Sequence, residues 1–98
     1  MSEFDMLAIL RAKPGREEGL CENLIRLVGP SREEAGNLRY DLYRDTADPA
    51  RFVFVERWAS QADQQQHHNF GPHIQAFHSD GAADIDSREA VLLLERLT

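Results

Sequence analysis

Seven consecutive residues, Phe52-Val53-Phe54-Val55-Glu56-Arg57-Trp58, constrain the fold of this 98-residue chain more than any other segment. Aromatic and β-branched side chains dominate, and strict alternation marks a strand with two unlike faces. Phe52, Phe54, Glu56 and Trp58 fall on one face, with Val53, Val55 and Arg57 on the other. The aromatic face needs a second layer to cover it. It also carries a carboxylate among three rings, and poor solvation there is expected to raise the pKa of Glu56. Glu56 then either takes part in acid–base chemistry with the following histidines, His67, His68 and His73, or simply hydrogen-bonds a nearby donor.

Other periodic runs supply the layers. Residues 6–12 read as a first strand, broken by Lys13-Pro14-Gly15. A helix is expected over 16–28, where Leu20, Leu24, Leu27 and Val28 recur at helical spacing. Gly29-Pro30 interrupts it, and Ser31 with Glu34 three positions on reads as the capping box of a separate short turn that Gly36 ends. Residues 37–45 form a second strand, joined by the polar turn around Asp48-Pro49 to the third. Ser60 caps a second helix through about residue 69, extended or kinked at Gly71-Pro72 and continuing to about His78. Residues 81–87 read as a loop. Residues 90–97 are a last strand whose Val91-Leu92-Leu93-Leu94 run suits burial on both faces.

The order strand, helix, strand, strand, helix, strand is that of a ferredoxin-like α+β fold, a four-stranded antiparallel sheet with both helices on one face. The other face would carry Leu7, Ile9, Val53 and Val55 with nothing over them. A patch of that kind exceeds what monomers usually expose, so a symmetric homodimer is expected. One domain over residues 1–98 fits the length, and a chain this size buries only about two-thirds of its unfolded surface.

Composition removes several function classes. Eleven basic against seventeen acidic residues give a net charge of −6, and Lys13 is the sole lysine, so nucleic acid is not an expected partner. No apolar run approaches the roughly 20 residues of a membrane span. The N-terminus lacks the features of a secretory signal, which makes a cytoplasmic location the expectation. Cys21, alone and inside a predicted helix, is expected to pack as a small hydrophobe.

Four segments together resemble the antibiotic biosynthesis monooxygenase family: Lys13-Pro14-Gly15, then Glu34-x-Gly36-x-x-x-Tyr40-Asp41, then Phe52-x-Phe54-x-Glu56-x-Trp58, and last a histidine nine or ten residues on with Pro72-His73. Within the family the chain is most similar to small bacterial quinol-monooxygenase-like proteins. The resemblance implies a dimeric α+β barrel with a pocket between the helices and the sheet face bearing Trp58. It implies oxidation of a quinol-like or phenolic aromatic by dioxygen without metal, flavin or nicotinamide; no cofactor is expected. Small aromatic substrate, dioxygen and a second copy are the expected partners. Relatives that degrade haem carry an asparagine where this chain has Ala8, so that activity is disfavoured. A non-catalytic ligand-binding or structural dimer, and an isomerase of a signalling metabolite, are the alternatives.

His67 and His68 compete for the family's histidine. A helical stripe with Phe70, Ile74 and Phe77 favours His67, and the family distance to His73 favours His68. Either would accept the substrate proton, with Glu56 and Tyr40 orienting donors. Trp58, Phe54, Phe77 and His73 would line the pocket, though Trp58 reads equally as plain core. Histidines separated by one, five and six residues do not share one helix face, so a metal site is not expected.

Overall fold

The structure, a computed structural model, describes residues 3–98. Strand β1 (Phe4–Ala12) leads to helix α1 (Glu17–Arg32), followed by β2 (Asn37–Arg44) and β3 (Arg51–Trp58). Helix α2 (Gln61–Phe70), helix α3 (Pro72–Ala76) and two short helical turns then lead to β4 (Ile85–Leu94). The strands lie in the order β2-β3-β1-β4, every neighbouring pair antiparallel. This is the ferredoxin-like arrangement that the order of apolar runs predicts.

Alternation along β3 is realised in full. Phe52, Phe54, Glu56 and Trp58 are buried, whereas Val53, Val55 and Arg57 are half-exposed on the open face. Ala8, Leu10 and Ala12 of β1 join the buried face, and α1 covers it with Leu20, Leu24 and Leu27. Ile74 and Phe77 complete the core from the second helical segment. Cys21 packs at the edge of this cluster, and Arg57 pairs with Glu3.

Three sequence expectations need correction. Helix α1 does not stop at Gly29-Pro30 but runs through Pro30 to Arg32. Leu20, Leu24, Leu27 and Ser31 form one buried stripe at spacings of four, three and four, so packing on the sheet carries the helix past its local breaker. Ser31 therefore caps nothing; it is fully buried inside α1. Strand β4 begins at Ile85, where a loop was expected, and ends at Leu94. Pairing with β1 extends it, from Ala12 opposite Ile85 to Asp5 opposite Leu94, across two register shifts. Finally, β4 lies at the sheet edge, and in the single chain Val91, Leu92, Leu93 and Leu94 are exposed rather than buried on both faces.

Gly36 ends the α1–β2 connection with φ +80°, a backbone conformation that glycine adopts without a Cβ clash. A side chain there would also collide with the Asp63 carboxylate, which the Ser60 hydroxyl holds at the start of α2. No helix among the described residues is long and apolar enough to cross a membrane.

Candidate active site

A cavity of about 410 Å³ lies between the buried sheet face and the second helical segment. Ala8 and Leu10 of β1, Tyr40 of β2, and Phe54 and Glu56 of β3 form its sheet side. His67, Ile74 and Phe77 close it from the helices, and Val91 and Leu93 of β4 stand along its edge.

Gly71 determines which histidines meet. It separates α2 from α3 with an extended backbone (φ −61°, ψ 122°), and Pro72 starts the next helix without needing an amide donor. On one straight helix, residues six apart would point in different directions. Here the break brings His67 and His73 together, their ring centroids 5.7 Å apart. A Cβ on Gly71 would sit 2.7 Å from the His67 carbonyl oxygen, so the close approach of these two turns depends on glycine. Phe70, expected on the same stripe as His67, is instead exposed as the last residue of α2, and the buried stripe resumes beyond Gly71 at Ile74.

The two imidazoles converge on Glu34, just beyond the end of α1. Its Oε1 accepts from His67 Nδ1 and lies 3.2 Å from His73 Nε2. The Ser31 hydroxyl is 3.0 Å from the same His73 nitrogen. Glu34 and Ser31 have the spacing of a capping box, yet their side chains serve the histidines instead. Only the unusual burial stripe through Pro30 could have disclosed this, and that stripe becomes visible when α1 is docked on the sheet.

His67 is only 4% exposed. Burial is the main influence on its imidazole and pushes the pKa below the ordinary histidine value, with Glu34 acting in the opposite direction. The neutral ring therefore predominates near neutral pH, with one nitrogen committed to Glu34 and the other free to accept. His68, the next residue of α2, is turned out of the buried cluster. It is exposed at the cavity mouth, where its ring lies 5.6 Å from that of His78 and both border Arg88.

Trp58 is fully buried and does not reach the cavity wall. Its indole packs directly on the His67 ring at 4.9 Å between centroids, so it backs the histidine rather than facing a hollow. The indole Nε1 donates to Glu56 Oε1 at 2.9 Å. His73 likewise lies off the main cavity and borders a separate groove between α1 and α3. Tyr40 touches both Phe54 and His67, with centroids 5.1 and 5.3 Å away. Burial first, then the neighbouring Glu56 carboxylate, drives the phenol pKa far upward, so Tyr40 remains a protonated donor.

Glu56, 4% exposed, has its pKa pushed up to about 7 by burial, and the indole N–H only partly offsets this. A carboxyl whose pKa rises on folding stabilises the native state in its protonated form. That contribution is complete below about pH 4.5, the unfolded value, and is lost as pH rises through about 7. Its size is about 3 kcal/mol, taking 1.36 kcal/mol per pKa unit. Glu56→Gln keeps an acceptor for the indole and removes the ionisation. We expect the variant's stability relative to the parent, from urea unfolding, to improve by roughly 2–3 kcal/mol between pH 5 and pH 8. Parallel stability curves over that range would contradict the assignment.

Fold and site define a small ferredoxin-like protein with a buried histidine–carboxylate cluster beside an apolar cavity. Residues 6–80 match the family model described as antibiotic biosynthesis monooxygenase. The chain belongs to that family. It is 34% identical over 74 residues to a Bacillus subtilis (strain 168) protein named "Putative monooxygenase YcnE", an alignment covering 76% of this chain and 77% of that protein. Among solved structures, PA3566 from Pseudomonas aeruginosa superposes with a TM-score of 0.92 at 34% identity, covering 100% of this chain and 97% of its own. Rv0793 from Mycobacterium tuberculosis gives 0.88 at 25% identity, with 99% and 97% covered. Membership and relatives together support a monooxygenase-like function.

Proposed function

We propose that this protein is a cofactor-independent monooxygenase that oxidises a quinol-like or phenolic aromatic with dioxygen. The observation that carries the reading is a buried, neutral imidazole on the wall of an apolar cavity, its other nitrogen held by a carboxylate. With Nδ1 donating to Glu34, the His67 nitrogen left as an acceptor is Nε2. It takes a proton from the substrate hydroxyl, and Glu34 stabilises the imidazolium that results. The apolar cavity leaves the phenolate poorly solvated and electron-rich, which favours electron transfer to dioxygen. Tyr40 donates to a substrate oxygen, and Phe54 and Phe77 hold the ring.

The balance is simple for a quinol. One oxygen atom stays on the ring as a hydroxyl, the other leaves as water, and the quinol becomes a hydroxyquinone by supplying both hydrogens. No further reductant is needed. Glu56 and Trp58 act behind His67, fixing the sheet against which the imidazole packs. In this reading His68, exposed at the mouth, takes no part in proton transfer.

The functional unit in this reading is a homodimer of single-domain chains. Strand β4 is an edge strand with four consecutive exposed apolar residues, a feature monomers avoid. A second copy over β4 would cover them and close the open side of the cavity, where Val91 and Leu93 stand.

Oxygen uptake with a panel of reduced quinones, on protein stripped of metal by chelation, tests the activity. Uptake above the uncatalysed background for at least one quinol, with a hydroxyquinone as product, is the expected result. Background rates across the panel, with thermal shifts on ligand addition, would replace the oxygenase by a binding protein of the same fold.

A further inference from the structure

We infer that Glu34, His67 and His73 form a binding site for one divalent transition-metal ion of the zinc class, and that the ion blocks the base proposed above. The inference concerns the same three residues, but it does not depend on the substrate.

The donor set is two imidazole nitrogens and one carboxylate oxygen. His67 Nδ1, His73 Nε2 and a Glu34 oxygen all lie within 4.8 Å of one another. Two histidines and a carboxylate suit zinc and neighbouring first-row ions, with a fourth position left for water. Bonds of about 2.0–2.1 Å in a tetrahedron require donors about 3.4 Å apart. His73 Nε2 and Glu34 Oε1 already stand at 3.2 Å. The His67–Glu34 contact must open, and the two imidazoles must close to that spacing from no more than 4.8 Å. Rotation of the Glu34 carboxylate, whose side chain is a fifth exposed, opens the first contact without moving the backbone. Side-chain torsion of His73, the more exposed of the two rings, closes the distance between them.

The surroundings favour a cation. Glu34 brings a formal negative charge to two rings that are neutral when they ligate, and no arginine or lysine pairs with it among the described residues. A route in exists as well. His73 borders the groove of about 250 Å³ between α1 and α3 and is not part of the main cavity's lining. An ion can therefore reach the cluster without crossing the main cavity.

Sequence spacing argues against this site because His67 and His73 would diverge on a continuous helix. The break at Gly71 removes that objection. Metal binding also has a chemical consequence. Coordination through Nδ1 leaves the His67 proton on Nε2, which then donates instead of accepting. The base is switched off by a change of tautomer, with no movement of the fold.

Cobalt(II), a spectroscopically visible substitute for zinc, tests the inference in the wild-type protein after chelation. We expect saturable one-to-one binding with visible absorption bands of a four- or five-coordinate ion, and a rise in Tm with added zinc. His73→Ala and Glu34→Gln should each weaken binding by about 100-fold or more. Circular dichroism and thermal melts of the metal-free variants check that they fold. The doubly substituted His68→Ala, His78→Ala protein should bind within about twofold of wild type, since those rings form the rival surface pair. Absence of saturable binding, or binding lost with the surface pair and kept without His73, would overturn the assignment. Metal binding without quinol turnover would sink the oxygenase and leave this site standing; turnover without metal binding would do the reverse.

Discussion

Replacing His67 by alanine is expected to lower quinol turnover by about 10²- to 10⁴-fold, the usual contribution of a positioned acid–base group. The ring is almost fully enclosed by Trp58, Tyr40 and His73, so no solvent base takes its place at the same geometry. Glu34→Gln is expected to do less, about tenfold to 100-fold, because the imidazole stays in the cavity and loses only the anion that stabilises its charged form. The two variants also differ in pH dependence. Turnover requires the neutral imidazole, so it rises with pH through the histidine pKa. Removing the Glu34 charge, which raises that pKa, moves the rise to lower pH. A kcat/KM profile against pH for wild type and Glu34→Gln checks this directly. Retention of rate within a few-fold in His67→Ala would remove the base from the mechanism, whatever the substrate.

Much of the architecture was legible because it rests on a short period. Side chains on a strand alternate every residue, so Phe52, Phe54, Glu56 and Trp58 could be placed on one buried face without knowing their partners. The same alternation gave β1, and the order of runs gave the topology. What escaped was set by contacts between distant segments. Pro30 is a helix breaker by its own chemistry, yet α1 passes it because Ser31 belongs to the stripe that packs on the sheet. Glu34 had a complete local explanation as a cap, which hid its part in joining His67 and His73 from 33 and 39 positions away.

Gly71-Pro72 was visible as an interruption, but the angle through which it turns the chain was not. That angle decides that His73 meets His67 and that Ile74 and Phe77 resume the buried stripe. The apolar run of β4 was equally visible, and its exposure was not, because an edge strand and a central strand can share one composition.

Trp58→Ala is expected to be the most destabilising single substitution in the buried sheet face. Truncating a fully buried tryptophan costs about 3–5 kcal/mol through lost burial and the cavity left behind. Against a total of about 5–15 kcal/mol for a domain of this kind, that is a large fraction. A second effect adds to it. The indole N–H is the hydrogen-bond donor found on Glu56, and without it an ionised carboxylate would stand buried and unpaired.

Trp58→Phe separates the two effects, since it keeps most of the ring volume and removes the donor. Loss of that bond raises the Glu56 pKa beyond about 7, so the variant binds its proton more tightly in the folded state. Its deficit relative to wild type should be small at pH 5, where the carboxyl is protonated in both, and should grow to about 1–3 kcal/mol by pH 8. Adding Glu56→Gln to Trp58→Phe should abolish that growth, because no charge remains to be stranded. Urea unfolding of the four proteins of this cycle at both pH values measures the coupling. A deficit in Trp58→Phe that is the same at pH 5 and pH 8 would mean that packing alone accounts for the tryptophan. The carboxylate behind the histidine would then have to be stabilised by something other than the indole.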